Sequence, residues 1–150
     1  MKQHRKQKGF SLIEVLFAVL ITGTVAAILA ATLPIATTSR ERADLNNAAT
    51  GIAQKQLERV KALGYANLTA AQLLTNGAID SATPVSTNKY AFTNVDSNRS
   101  DSAAQVLPTG KAYITIQQVD LDLRRITIEV TYRESGKTHS LVLGTLVANL

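Results

Sequence analysis

Cysteine is absent from the 150 residues. Its absence excludes disulfides, thiolate metal sites, lipid attachment through cysteine and cysteine nucleophiles. Histidine is nearly absent: His4 and His139 are the only two, too few for a histidine metal cluster. No candidate serine has a paired base near it, so nucleophilic catalysis has no visible machinery. The chain reads as a non-enzyme, and neither a cofactor nor a metal site is expected. Two fragments resemble ligand motifs and fail on inspection. Asp96-Ser97-Asn98-Arg99-Ser100-Asp101 has the polar density of a calcium loop, but Asp101 stands where that loop needs glycine and Leu107 where it needs glutamate. Gly136-Lys137-Thr138 ends like a phosphate-binding loop, yet Thr131 occupies the position of the motif's first glycine and the flanking segments read as strands. Asp120 and Asp122, two apart, read as solvent-facing turn residues.

Charge is also missing where it would matter. From Phe10 to Ser39 the one formally charged side chain is Glu14. Residues 10–150 hold twelve basic and eleven acidic side chains. Four of the five net positive charges, and with them the pI near 9.7, therefore belong to Lys2, Arg5, Lys6 and Lys8, all before Gly9. A basic tag of this kind reads as positive-inside topology and not as a nucleic-acid face, and no nucleic-acid partner is predicted. With 45% hydrophobic and 18% charged residues, the remainder has the composition of a folded domain.

What is present is a long apolar run. Val15 to Ser39 carries no charge, and about 20 helical residues cross a hydrocarbon core of roughly 30 Å. The basic leader predicts a single span with the N-terminus cytoplasmic and the remainder crossing. A removable secretory signal cleaved at Val25-Ala26-Ala27 would need an apolar core of only about 7–15 residues, far shorter than this one. Pro34 lacks an amide hydrogen, so the helix is expected either to kink there or to divide into two helices. Gly23 marks a point of possible close helix packing. Thr22, Thr24 and Thr32 are expected to bond backbone carbonyls one turn back.

The string KGFSLIEVL, between a short basic leader and a long apolar helix, resembles the processing site of type IV prepilins and type II secretion pseudopilins. The resemblance covers roughly residues 5–34. It implies that a membrane prepilin peptidase cuts between Gly9 and Phe10, that Phe10 becomes the N-methylated first residue (methylphenylalanine), and that Glu14 becomes the fifth residue of the mature chain. It also implies other pilin or pseudopilin subunits, inner-membrane lipid and a pilus or secretion assembly platform as partners. The mature chain would then reside in a pilus or a periplasmic pseudopilus. Pro34 lies about one turn later than the kinking proline of many major pilins, which points to a minor subunit.

Past Ser39 the pattern becomes amphipathic. Leu45, Ala49, Ile52, Leu57, Val60 and Leu63 recur at spacings of three to five among charged residues, predicting a helix that ends at Leu63-Gly64. Gly51 inside it should weaken it by about 1 kcal/mol relative to alanine. Thr69-Ala70-Ala71-Gln72 has capping-box form and predicts a short helix through Leu74, stopped by Asn76-Gly77. Asp80 to Gly110 is rich in Ser, Thr, Asn and Asp and reads as a surface loop of variable conformation, with one strand candidate at 90–95. Tyr113 to Val119 reads as a strand. Ile126, Ile128, Val130 and Tyr132 alternate with polar residues as a second, and Glu134-Ser135-Gly136-Lys137 turns the chain into a partner strand at 138–147. The expected fold class is α+β: a pilin-like long N-terminal helix packed on a C-terminal antiparallel sheet. The expected organisation is a basic leader at 1–9, removed; a transmembrane half-helix at 10–39; and an extracytoplasmic domain at 40–150. That domain divides into a helix at 40–63, a loop region at 64–111 and a sheet at 112–148.

Glu14 has two readings. Ser11-Leu12-Ile13-Glu14 has capping-box form, and a carboxylate is favoured in a first helical turn. The resemblance implies instead a subunit-assembly role, in which Glu14 pairs with the amine that cleavage creates at Phe10. Three function classes compete: a minor pilin or pseudopilin, an unprocessed single-pass membrane-anchored binding protein, and an exported enzyme whose signal mimics a prepilin. A chain starting at Phe10, at Met1 or near Ile28 separates them.

Overall fold

The computed structural model describes residues 11–149, the side chains of Leu33, Pro34 and Ala36 excepted. Two compact units divide between Glu41 and Arg42. The first contains the N-terminal part of α1, a helix spanning Leu12–Leu63 that is assigned without interruption across Pro34. This favours one helix over two meeting at the proline. Every described side chain from Ser11 to Glu41 is exposed. Thr22, Thr24 and Thr32 donate their hydroxyls to the carbonyls of Ala18, Ile21 and Leu29 at 2.7, 2.8 and 3.0 Å, as expected for hydroxyls in an apolar helix. α1 meets the length and hydropathy of a membrane span.

The second unit holds the C-terminal part of α1 and a four-stranded antiparallel sheet in the order β1-β2-β3-β4. The strands are β1 Lys89–Ala91, β2 Lys111–Asp120, β3 Leu123–Glu134 and β4 Lys137–Ala148. The period-two pattern of β3 is borne out: Ile126, Ile128, Val130 and Tyr132 are buried, and their neighbours are less so. Ser135 and Gly136, both at positive φ, make the tight β3–β4 turn that such a hairpin needs. Gly136-Lys137-Thr138 is therefore a connection between strands and not a phosphate loop. Ala49, Ala53 and Val60 of α1 join Ile114, Ile126, Ile128 and Val130 in one core. Each fully buried large aliphatic side chain contributes about 1.5–3 kcal/mol. Along this part of α1, Ala53 and Gln56 are buried where the periodicity had named Ile52 and Leu57, which are only half-buried.

Between α1 and β2, a 3-10 turn at Tyr65–Asn67 leads to α2, Ala70–Thr75. Its cap is the predicted one, since the Thr69 hydroxyl accepts from the Gln72 amide. Most of the stretch from Asp80 to Gly110 is exposed and irregular, as read, but the core anchors it at several points. Phe92, Ser102, Ala103 and Leu107 are buried, and α3, Ala103–Val106, lies within the stretch. Gly110 is needed there, because a Cβ on it would collide with the Ala103 carbonyl oxygen. The strand expected at 90–95 is also shorter than read. β1 ends at Ala91, and the Phe92 amide still donates to the Ala112 carbonyl. Then the Thr93 hydroxyl takes over the Ala112 amide at 3.0 Å, and the chain turns through Asp96 at positive φ. A side chain replaces the backbone ladder and ends the strand.

Ion pairs fasten this stretch to α1. Asp96 accepts from both Lys55 and Arg59, and Asp101 accepts from Lys55. Asp96 opens the fragment with the polar density of a calcium loop, and its carboxylate is engaged by cations of α1. Burial by itself raises the Asp96 pKa, but the bonds from Lys55 and Arg59 outweigh it and hold the carboxyl below its ordinary value. The bond to Asp101, followed by that to Asp96, raises Lys55 above its ordinary value. At the other end of the sheet, Arg42 Nε donates to Glu134 Oε1 at 2.7 Å, and His139 Nε2 lies 3.5 Å from Glu134 Oε2 while its ring stacks on Tyr132.

Candidate functional site

The candidate site is the start of α1. Of its three expected residues, Gly9 and Phe10 lie outside the described residues, and Glu14 lies within them. Glu14 sits in the first turn of α1, where its carboxylate faces the positive end of the helix dipole. The amides of Glu14 and Val15 both donate to the Ser11 carbonyl, at 2.9 and 3.2 Å. Ser11 is thus the residue from which the helix starts.

A capping box would need the Ser11 hydroxyl to accept from the Glu14 amide and the Glu14 carboxylate to reach back to Ser11. Among the described residues neither side-chain bond forms, and the Glu14 amide is taken by the Ser11 carbonyl instead. The local reading of Glu14 keeps its dipole contribution, typically about 0.3–1 kcal/mol, and loses its reciprocal bonds. Glu14 is exposed. Among the described residues no cation pairs with it.

A second feature was legible in the spacing and went unread. Ala18, Thr22 and Ala26 follow Glu14 at intervals of four and share one face of the helix with it, next to Gly23. These are the small side chains that let helix backbones approach closely in lipid. Gly23 costs the helix about 1 kcal/mol relative to alanine, and a Cβ added there would meet nothing within 4 Å in the chain. Internal packing therefore gives no reason for glycine at this position. An interhelical contact would.

Elsewhere among the described residues, no group of three or more His, Asp or Glu side chains is placed to hold a metal ion. The aspartates singled out at 120 and 122 lie at the β2–β3 connection, where the Asp120 carboxylate accepts from the Leu121 amide and Asp122 accepts from Asn149.

Comparison with known proteins bears on the same segment. The family model of the prokaryotic N-terminal methylation motif matches residues 4–30. No curated protein and no solved structure gives a match.

Proposed function

We propose that this chain is a type IV pilin or pseudopilin, a reading that the methylation motif at residues 4–30 supports, and that it is a minor subunit cut by prepilin peptidase between Gly9 and Phe10 and N-methylated on Phe10. It is a structural, membrane-anchored subunit. In the proposed sequence of events it is inserted in the inner membrane with its N-terminus cytoplasmic. Trimming leaves α1 in the bilayer, and the assembly platform then packs it beside other subunits into a type IV pilus or a type II secretion pseudopilus.

One observation carries the reading: the methylation motif at residues 4–30 overlaps an apolar stretch of α1, residues 12–39, whose described side chains are all exposed and whose one charge is Glu14. A carboxylate in a bilayer costs about 2.5–3.5 kcal/mol near the centre and less near an interface. Cleavage at Phe10 would create an ammonium group one helical turn from Glu14, and the same group would stand at the start of every neighbouring copy. Pairing the two within a helix bundle offsets the cost, and an unpaired partner in that medium would be penalised. Ala18, Thr22, Gly23 and Ala26 supply the close-packing face beside it.

The test is the N-terminal sequence and intact mass of the chain purified from membranes. A start at N-methylated Phe10 is expected. A start at Met1 would indicate an unprocessed membrane-anchored binding protein, and a start near Ile28 an exported protein with a removable signal.

A further inference from the structure

Beyond Leu63 the sheet loses its helical cover. Along the inner face of β2, burial declines from Ile114 through Ile116 to Gln118, and on β3 from Ile126 to Arg124. The chain after α1 runs beside this end and leaves a cleft of about 200 Å³. Thr69, Ala70, Asn88, Tyr90, Gln118 and Arg124 line it. Arg124 is the one charged side chain among the lining residues.

The guanidinium is held in place before any ligand arrives. Nη1 donates to the carbonyls of Tyr65 and Leu68 at 3.1 and 3.2 Å, and the group lies over the Tyr65 ring, 4.3 Å from its centroid. The Tyr65 hydroxyl in turn donates to the Leu121 carbonyl at 2.7 Å, which fixes the ring. Nε and Nη2 of Arg124 donate to nothing among the described residues. Arg42, Lys55, Arg59 and Lys89 each meet a carboxylate. Arg124 is half-buried and meets none, and Asp120 and Asp122 in the adjoining turn form no ion pair with it. The rim adds neutral polar groups: the Asn88 amide and the Tyr90 hydroxyl make no hydrogen bond among the described residues, and Asn88 is pinned by the Ile116 amide donating to its carbonyl at 3.0 Å.

We propose that this cleft receives one acidic side chain, glutamate or aspartate, of a partner protein. A planar guanidinium with two free donors matches a carboxylate in shape and charge. Size selects a side chain over a whole small molecule. Small-molecule sites run to about 300–1,000 Å³, and this cleft holds the volume of about seven waters. The charge complementarity is one to one, a single cation with which no described carboxylate forms an ion pair.

The experiment uses the full chain in detergent micelles and follows the Arg124 side-chain N–H resonance by NMR. Two probes are titrated, N-acetyl-glutamate N-methylamide and its neutral isostere N-acetyl-glutamine N-methylamide, with inorganic phosphate as a third. The glutamate probe should shift the resonance and bind at least about tenfold more tightly than the glutamine probe or phosphate. Ala70→Leu, which fills the cleft and leaves the Arg124 bonds to Tyr65 and Leu68 in place, should weaken the glutamate probe by about tenfold or more. Arg124→Gln should abolish the preference for the charged probe; because it removes those structural bonds, Ala70→Leu is the deciding variant. Equal binding of glutamate and glutamine probes, equal or tighter binding of phosphate, or undiminished binding to folded Ala70→Leu would each overturn the proposal.

Discussion

Residues 12–41 and 42–63 belong to the same helix and follow opposite rules. The first stretch holds the chain's longest apolar run, and each of its described side chains is exposed. The second carries Arg42, Asp44, Lys55, Glu58, Arg59 and Lys61 and still buries Ala49, Ala53, Gln56 and Val60. Apolar content and burial within one chain thus part company. The second stretch has a stripe sized for the sheet beneath it, because water surrounds the rest of its circumference. Through Ser39 the first is apolar around nearly its whole circumference, with Glu14 as its one charge, because lipid and neighbouring helices are its proposed surroundings.

The comparison can be broken at either stretch. The largest effect is expected just before the first. A peptidase at the membrane face must draw in an extended backbone, and Gly9 presents no side chain to obstruct it. Gly9→Val should leave insertion intact and abolish trimming, so that immunoblots show nearly all the protein at the mobility of the leader-bearing form. Processing at the wild-type rate would place the cut elsewhere. Next comes a matched pair. Ile128→Ala, at a position fully buried in the core, should destabilise the sheet-bearing unit by about 2–5 kcal/mol. Leu20→Ala, at a position 58% exposed, should change it by no more than about 0.5 kcal/mol. Denaturant unfolding in micelles would read both, and equal losses would contradict the division of roles.

Smaller effects sharpen the second stretch. The Asp96 carboxyl is held below its ordinary value of 3.8, so its contribution is complete above that value and disappears as pH falls through the lowered one. Lys55, raised above 10.5, contributes fully below that value and loses its share as pH rises through the elevated one. Asp96→Asn should cost on the order of 1–2 kcal/mol at neutral pH and flatten the loss of stability as pH falls below 3.8. Urea unfolding across that range tests it, and an unchanged acid slope would remove Asp96 from the account. The smallest effect belongs to Arg42→Ala. The Arg42 side chain is 65% exposed, and its pair with Glu134 should be worth about 0.2–1 kcal/mol, less at high salt. A larger loss by the same unfolding measurement would mean that the pair fastens α1 to the hairpin more firmly than solvent screening allows.

Legibility followed the locality of the signal. The alternation from Ile126 to Tyr132, the turn at Ser135-Gly136, the cap at Thr69 and the helix end at Leu63 are all written in neighbouring residues, and each was read in place. Burial decided by distant partners was not. Gln56 is polar and sits on a helix flanked by charges, yet it is buried because its amide donates to the Ala78 carbonyl across the core. The polar stretch after Asp80 looked like surface because its carboxylates and hydroxyls had no visible partners. Lys55 and Arg59 supply them to Asp96 from roughly 40 residues away, and Phe92 and Leu107 anchor the stretch in the core. At the candidate site, Glu14 was conspicuous as a lone charge. The Ala18-Thr22-Ala26 face was not, because alanine and threonine are unremarkable in any helix until their spacing is counted from the carboxylate.

The central claim is that the start of α1 is built for contact with other subunits, with Glu14 paired to a Phe10 amine. Its most direct test is Glu14→Ala, with processed protein in membranes measured against protein recovered in sheared filaments or crosslinked assemblies. The account predicts normal insertion and trimming with at least a tenfold loss from assemblies, the cost of an unpaired ammonium among apolar helices. Incorporation of the alanine variant at the wild-type level would contradict the pairing and leave Glu14 as a carboxylate at a helix N-terminus.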